Sequence, residues 1–200
     1  GFAAHVDSRS KMVEIAAQLA EAGIQVLLGG GEDEFLPVLK AGCFPEFGER
    51  FDGRDLMREM VTAGYVYACT AAQLVTVPPT TTHLLGLFGD GGMVHPHTPS
   101  LAQMTDTAID VLSQDPDGFF LMVEGGQIDW AAHANDAMAT ISDTLSLDAA
   151  VAVAQAYAQQ AAVAPLIVVA ADHETGGMAL HLAATGDPSE DGPYVMPDAT

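Results

Sequence analysis

Apolar residues recur along this chain at two spacings, and these predict helices alternating with short buried strands. Val13, Ala16 and Ala20 lie three to four residues apart and predict a helix within residues 1–22, ended by Gly23. Ser100 is a suitable N-cap for a second helix at residues 101–112. The other predicted helices are residues 32–39, 53–63, 70–75, 129–133 and about 139–162.

Five short apolar runs lack the helical spacing and predict buried strands. They are residues 24–28, 65–69, 84–88, 119–124 and 166–171. Uniformly apolar strands are typical of parallel sheets with both faces covered. Strands that alternate with helices over the whole length therefore predict an α/β fold, with a mainly parallel sheet flanked by helices on both faces. The length suits one domain or a large part of one, so we expect residues 1–200 to belong to a single domain.

The charge balance excludes two classes of partner. Six Lys and Arg residues stand against 27 Asp and Glu, which gives a net charge of −21. Nucleic acids and anionic membrane surfaces both require a basic footprint, so neither is expected as a partner. No apolar run approaches the roughly 18 residues of a membrane-spanning helix.

Two cysteines, Cys43 and Cys69, leave the redox state open. They could form a disulfide in an oxidising compartment or remain as two buried thiols. Neither belongs to a CxxC motif or lies near a histidine cluster, so a thiolate metal site is not expected.

The ends of two predicted strands carry acids and histidines. Glu124 closes the run at 119–124, and Asp129 and His133 follow at i and i+4, on one face of the predicted helix. Asp172 and His173 close the run at 166–171. Carboxylate and imidazole together are suitable ligands for zinc and similar cations, so the sequence favours a metal-dependent hydrolase. The alternative is a structural helix start with a surface histidine.

Three other features carry weaker signals. Arg9 is either a functional cation or a surface charge that balances Glu14. The three glycines at 29–31 follow a strand without a Walker or GxGxxG pattern, which favours a tight strand-to-helix turn over nucleotide binding. His95 and His97 form an HxH pair without an evident third ligand, so we predict a structural or surface role for them.

Several blocks of the chain resemble alkaline phosphatases. VEGGQIDWAAHAND and VVAADHETGG are similar to the family's metal-binding motifs, and GFAAHVDSR resembles the segment with its phosphate-binding arginine. VLLGGGEDEF and PSLAQMTDTAIDVLSQDPDGFFLMVEGG are also similar to family segments. The resemblance covers nearly the whole chain, and it implies an alkaline-phosphatase-like α/β fold with two zinc ions and one magnesium ion.

The resemblance also implies roles for individual residues, carried over by position. The implied roles are Asp129 and His133 as ligands of the first zinc, Asp172 and His173 as ligands of the second zinc, Glu124 as the magnesium carboxylate, Arg9 as the phosphate-binding guanidinium and Trp130 as a neighbour that tunes the ligands. A guanidinium suits phosphate because its planar fork donates two parallel hydrogen bonds.

The family's nucleophilic serine motif, further magnesium and zinc ligands, and the last zinc histidine have no match here. We therefore expect residues 1–200 to be a central-to-C-terminal portion of an alkaline phosphatase whose natural N-terminus lies upstream. The resemblance implies that the intact enzyme hydrolyses small phosphate monoesters through a phosphoserine intermediate. It also implies periplasmic or extracellular location and possible homodimers. The isolated chain is expected to be inactive because each metal site is incomplete.

Two alternatives remain open at this point. One is a related enzyme of the same superfamily: a phosphodiesterase, a sulfatase or a phosphoglycerate mutase. The upstream nucleophile distinguishes them, since serine favours the phosphatase, threonine the diesterase or mutase, and a modified cysteine or serine the sulfatase. The other alternative is an acidic metal-binding fragment without catalytic activity.

Overall fold

Three parallel strands form the central sheet of the computed structural model, which describes residues 3–94 and 96–179. They are β1 (Val26–Gly29), β2 (Val66–Ala68) and β3 (Leu84–Leu87), in the order β1-β3-β2. Leu84 of β3 lies opposite the first residue of each neighbouring strand. The parallel sheet predicted from the sequence is confirmed for these three strands.

Six α-helices are assigned within the described residues. They are α1 (Met12–Glu21), α2 (Leu56–Thr62), α3 (Ala71–Leu74), α4 (Leu101–Leu112), α5 (Gln127–His133) and α6 (Ala137–Gln160). A single 3-10 turn at Asp33–Phe35 follows β1.

Both faces of the sheet carry helices, as predicted. Successive side chains on a strand point to opposite faces, and β3 follows this rule. Leu85 and Leu87 pack with buried residues of α1 and α2 on one side. Leu84 and Phe88 pack with Met104 of α4 on the other side. β3 is buried at every position, which explains its uniformly apolar sequence.

The glycines after β1 allow two strand-end loops to approach closely. The Gly31 amide donates to the Gly91 carbonyl at 3.0 Å, and the Glu32 amide donates to the Gly89 carbonyl at 3.0 Å. A Cβ on Gly30 would overlap the Gly91 carbonyl oxygen, and Gly31 has a φ of +87°. The predicted tight turn is therefore confirmed, since both the close approach and the positive φ favour glycine.

Two predicted strands are wrong within the described residues. Residues 119–124 and 166–171 are not in a strand ladder. Both are largely exposed: Phe120 is 75% exposed and Leu166 is 89% exposed. A cavity of about 540 Å³ lies between residues 120–126 and the neighbouring β1 and α4. An apolar run indicates a preference for burial, but a strand also needs a neighbour to accept and donate its backbone hydrogen bonds, and no described segment does so.

Helix boundaries differ from the prediction for local reasons. The predicted helix at 32–39 is only the 3-10 turn, because Leu36 precedes Pro37 and adopts an extended conformation. The helix predicted within 1–22 begins at Met12; its first two residues lie outside the described part. The predicted helix at 53–63 begins at Leu56, where the Asp55 side chain accepts from the Arg58 amide.

α6 is the one described helix that is long and apolar enough to cross a membrane, judged by length and composition alone. Its most apolar window has a mean hydropathy of 1.3, although the sequence was expected to contain no run of that kind. The helix also carries Asp143, which is 6% exposed, and it contacts α4 and α5. Core helices of soluble proteins pass the same test, so this property alone says little about location.

Cys43 and Cys69 are joined by a disulfide, which settles the question that the sequence left open. The bridge fixes the loop after the 3-10 turn to the end of β2. Beside it, the fully buried Glu32 carboxylate accepts from the amides of Cys43 and Phe44 at 2.9 and 3.0 Å, and from the Tyr67 hydroxyl at 2.7 Å. Burial and this bond to Glu32 hold the pKa of Tyr67 well above its usual range. Glu32 is thus a satisfied structural carboxylate.

Candidate metal site

α5 carries the first pair of candidate ligands. Asp129 lies in its first turn and His133 in its last, so the i, i+4 spacing places both on one face. His133 Nε2 lies 3.5 Å from Asp129 Oδ1. The His133 side chain is 70% exposed and that of Asp129 is 37% exposed, so the pair is open to solvent.

Asp172 and His173 form the second pair, in the loop after residues 166–171. His173 Nε2 lies 3.3 Å from Asp172 Oδ2. On the other side of the ring, Nδ1 lies 3.1 Å from the Glu174 carbonyl oxygen. Because a carbonyl can only accept, Nδ1 carries a hydrogen and donates it. In the neutral imidazole the lone pair is then on Nε2, on the side that faces Asp172.

Thr175 brings the two pairs together. Its hydroxyl donates to Asp129 Oδ1 at 2.7 Å, and its oxygen lies 3.1 Å from His173 Nδ1. Gly176 allows this approach, because it has a φ of +74° and a Cβ there would overlap the Ala132 carbonyl oxygen of α5. The chain therefore bends at Gly176, and the bend brings Thr175 against α5.

The carboxylates around His173 favour its charged form. Donation to the Glu174 carbonyl raises its pKa above the usual value, and the nearby Asp172 and Asp129 carboxylates raise it further. The negative charges of Asp129 and Asp172, together with the lone pairs of the two imidazoles, attract a proton or a metal cation to this surface.

The geometry of each pair is compatible with zinc. Two ligands about 2.0–2.1 Å from a tetrahedral zinc ion lie about 3.3–3.4 Å apart, close to the 3.3 and 3.5 Å within the two pairs. Imidazole nitrogen with carboxylate oxygen is also a typical zinc donor set. Within residues 3–94 and 96–179, however, no group of three or more His, Cys, Asp or Glu side chains is arranged to hold a metal ion. Each pair therefore supplies two ligands of an incomplete set.

The remaining predicted site residues form no hydrogen bond or ion pair with these two pairs. Glu124 is exposed just before α5 and has no hydrogen bond or ion pair to another candidate ligand. Arg9 is exposed in a turn before α1. The suggestion that Arg9 balances Glu14 is wrong, because Lys11 pairs with Glu14 at 3.7 Å and with Asp7 at 2.9 Å. The Trp130 ring is 53% exposed and lies over Gly92, after β3.

His95 of the HxH pair lies outside the described residues, so its role stays a prediction. His97 is described: its Nδ1 lies 2.8 Å from the Pro99 carbonyl oxygen and donates to it. His97 therefore holds the loop before α4, which suits the structural role predicted for it.

An acidic cluster that the sequence did not predict lies after β1. Glu34 is only 8% exposed, and its Oε2 has no hydrogen-bond partner. Burial, with the nearby Glu49 and Asp33 carboxylates, raises the pKa of Glu34 to about 7, although Arg50 opposes the shift. Burial and the charges of Glu49 and Asp90 also raise the pKa of Asp33. The sequence feature that could have indicated this cluster is the run of three acids, residues 32–34, directly after the glycines.

Glu34 should make folding stability depend on pH. Its raised pKa means that the folded state holds the proton more tightly, so stability is fully present below about pH 4.5 and is lost as pH rises through about 7. We expect a loss of about 1–2 kcal/mol over this window, less than full linkage, because solvent screens part of the charge. Urea unfolding of the metal-free full-length protein at several pH values measures it. Glu34→Gln should flatten the decline of unfolding free energy with pH, and the exposed control Glu46→Gln should not. Equal slopes of stability against pH in the two variants would show that Glu34 does not cause the decline.

Comparison with known proteins identifies the family of this chain. The family model described as alkaline phosphatase matches residues 3–191. Alkaline phosphatase 4 of Bacillus subtilis (strain 168) is 38% identical over 190 residues, covering 90% of this chain and 38% of the relative. A relative from Bombyx mori, named membrane-bound alkaline phosphatase, is 37% identical over 180 residues, covering 80% of this chain and 32% of the relative.

Solved structures support the same family and its use of metals. A variant of the alkaline phosphatase from the Antarctic bacterium TAB5, solved with Mg bound, matches with a TM-score of 0.64 and 28% identity. The match covers 80% of this chain and 43% of that one. The chain spans less than half the length of the relatives that it matches. With residues 3–191 matched, the chain belongs to the alkaline phosphatase family, a family of metal-dependent hydrolases of phosphate monoesters.

Proposed function

We propose that the whole protein containing this chain hydrolyses small phosphate monoesters with two zinc ions and one magnesium ion, through a phosphoserine intermediate. One observation carries the proposal: two Asp–His pairs, each at the ligand spacing of tetrahedral zinc, lie in one hydrogen-bonded cluster. Family membership supplies the reaction class. The serine is proposed to come from a part of the protein outside residues 1–200.

We assign Asp129 and His133 to the first zinc, Asp172 and His173 to the second, and Glu124 to magnesium. When bound, two cations stabilise the entering and leaving oxygens of an in-line displacement. The protein's part is to hold each imidazole as the neutral ligand with its lone pair on Nε2. For His173 this is supported by the Nδ1 donation to the Glu174 carbonyl. Trp130, beside Asp129 in α5, is proposed to tune the ligands as a neighbouring side chain.

Arg9 is proposed to hold the phosphate. Four of the six basic residues form ion pairs with carboxylates: Lys11, Lys40, Arg50 and Arg54. Arg9 and Arg58 form none with the described residues. A guanidinium without a carboxylate partner can donate both arms of its fork to a phosphate. With a net charge of −21, the surface as a whole repels phosphate, so substrate binding depends on local cations.

We further propose that residues 1–200 form part of one catalytic domain, and that the protein works in the periplasm or outside the cell, where it can dimerise. The Cys43–Cys69 bridge supports an oxidising location, because disulfides are rare in reducing compartments. The acidic balance of the chain supports an absence of nucleic-acid partners.

Turnover of three ester classes by the full-length protein tests the proposed function. With zinc and magnesium present, we expect p-nitrophenyl phosphate to be hydrolysed faster, by kcat/KM, than bis-p-nitrophenyl phosphate and p-nitrophenyl sulfate. Chelation should abolish the activity, and restored zinc should return it. A preference for the diester or the sulfate would assign the protein to a different reaction, and no turnover of any ester would leave a metal-binding protein without this activity.

Residues 1–200 alone provide the matching control. Because each described pair supplies only two zinc ligands, we expect weak, exchangeable zinc binding and negligible turnover of p-nitrophenyl phosphate. Clear turnover by this chain, abolished in His133→Ala, would show that the chain holds a complete site.

A further inference from the structure

Among the described residues, the Thr175 hydroxyl is the one side-chain group that hydrogen-bonds to ligand candidates of both pairs. It lies 2.7 Å from Asp129 Oδ1 and 3.1 Å from His173 Nδ1. Asp129 is 46 residues away along the chain, so this contact joins two distant segments. Thr175 is partly buried, whereas Asp172 and His173 are exposed.

Hydrogen counting fixes the direction of both bonds. A threonine hydroxyl has one hydrogen to donate and two lone pairs to accept with. The Asp129 carboxylate can only accept, so the hydroxyl donates there. The Thr175 oxygen is then an acceptor for His173, whose Nδ1–H is shared with the Glu174 carbonyl at 3.1 Å. One hydroxyl thus orients a carboxylate of the first pair and the imidazole of the second.

The backbone around Thr175 is held against α5. Gly176 has a positive φ, and no Cβ fits between it and the Ala132 carbonyl oxygen. The Thr175 side chain therefore has little freedom to move away from Asp129. Without the hydroxyl, the Asp129 carboxylate could rotate, and the His173 ring would lose one of the two acceptors of Nδ1, keeping the Glu174 carbonyl and the contact with Asp172.

We propose that Thr175 is a positioning residue that couples the two zinc sites, by orienting Asp129 for the first and His173 for the second. This inference rests on the proposed zinc assignment. Thr175 does not itself bind metal or substrate in this arrangement. Groups that orient metal ligands typically contribute 10–100-fold in metal affinity or activity, so the loss of this one hydroxyl weakens zinc binding at both sites.

Zinc affinity of the metal-free full-length protein, measured by competition with a chromophoric chelator, tests the coupling. Thr175→Val removes the hydroxyl but keeps the side-chain shape. Thr175→Ala removes the hydroxyl together with the γ-methyl group. We expect both variants to bind two zinc ions about 10–100-fold more weakly than the wild type. Thr175→Ser keeps the hydroxyl and should stay within about 3-fold. The matched control is Thr62→Val, because the Thr62 hydroxyl donates to the Arg58 carbonyl within α2 and not to a candidate ligand. The zinc affinity of this variant should equal that of the wild type.

Two further readouts separate positioning from a packing role and from failure of the proposed function. Nitrogen-15 NMR of the neutral His173 ring should show Nδ1 protonated in both proteins, because the Glu174 carbonyl accepts in both, but the Nδ1 chemical shift should change in Thr175→Val with the loss of the second acceptor. If Thr175→Val and Thr175→Ala both keep zinc affinity within about 3-fold and the wild-type Nδ1 chemical shift, the inference is overturned, whatever the activity. If the affinity falls as expected while the wild type hydrolyses no phosphate ester, the positioning role stands and the proposed function fails.

Discussion

Replacement of His173 with alanine in the full-length protein lowers kcat/KM for p-nitrophenyl phosphate by more than about 100-fold and releases at least one zinc ion. Removing a group that merely orients a ligand costs about 10–100-fold, so loss of the ligand itself should cost more. The expectation rests on His173 Nε2, whose lone pair faces Asp172 at 3.3 Å because Nδ1 donates to the Glu174 carbonyl. Zinc content by mass spectrometry and steady-state kinetics measure the two effects.

His5→Ala provides the control for a histidine outside the candidate site. His5 is exposed before α1, and its backbone rather than its ring bonds Gln18. This variant should keep wild-type zinc content and activity. A His173→Ala protein that still binds two zinc ions and keeps a third of its kcat/KM would show that His173 is not a ligand.

Replacement of Arg9 with alanine weakens inhibition by inorganic phosphate and lowers kcat/KM by about 100-fold or more. Each hydrogen bond to a charged group contributes about 1.5–3 kcal/mol, so losing both bonds of the fork weakens phosphate binding by about 100-fold or more. Arg9→Lys should recover only part of the loss, because an ammonium group cannot donate in the same bidentate geometry. The inhibition constant of phosphate, measured at two salt concentrations, separates this local contact from the general field of the protein.

Arg58→Ala is the matched control for Arg9→Ala. Arg58 is also an exposed arginine without an ion pair among the described residues, but it lies on α2. The two substitutions change the net charge equally, so a long-range electrostatic effect would be similar in both. Equal, small losses of kcat/KM and of phosphate inhibition in the two variants would show that Arg9 does not bind the phosphate.

Local features of the fold were predictable from the sequence. α4 spans residues 101–112 as its apolar spacing indicates, and Ser100 caps it by accepting from the Gln103 amide at 3.2 Å. The i, i+4 spacing of Asp129 and His133 also placed both on one helix face. These features depend on contacts within a few residues, which sequence patterns report directly.

Features that depend on distant segments were not predictable. Residues 119–124 and 166–171 have strand-like sequences, yet strand pairing depends on a neighbour that the local pattern does not specify. The bond from Thr175 to Asp129 crosses 46 residues, and a threonine between a glutamate and two glycines gives no sign of it. The raised pKa of Glu34 likewise depends on burial by the fold and on the charge of Glu49, 15 residues further along the chain.

The unpaired apolar segments have a consequence for amide hydrogen exchange. β3 is buried and hydrogen-bonds to one strand on each side, so its amides should exchange only in large openings of the fold. Amides of residues 166–171 have no ladder partner among the described residues, and nothing in the described structure slows their exchange. Slow exchange at these positions in the whole protein would therefore be a direct, residue-level signature of the strand that completes the sheet beside Asp172 and His173.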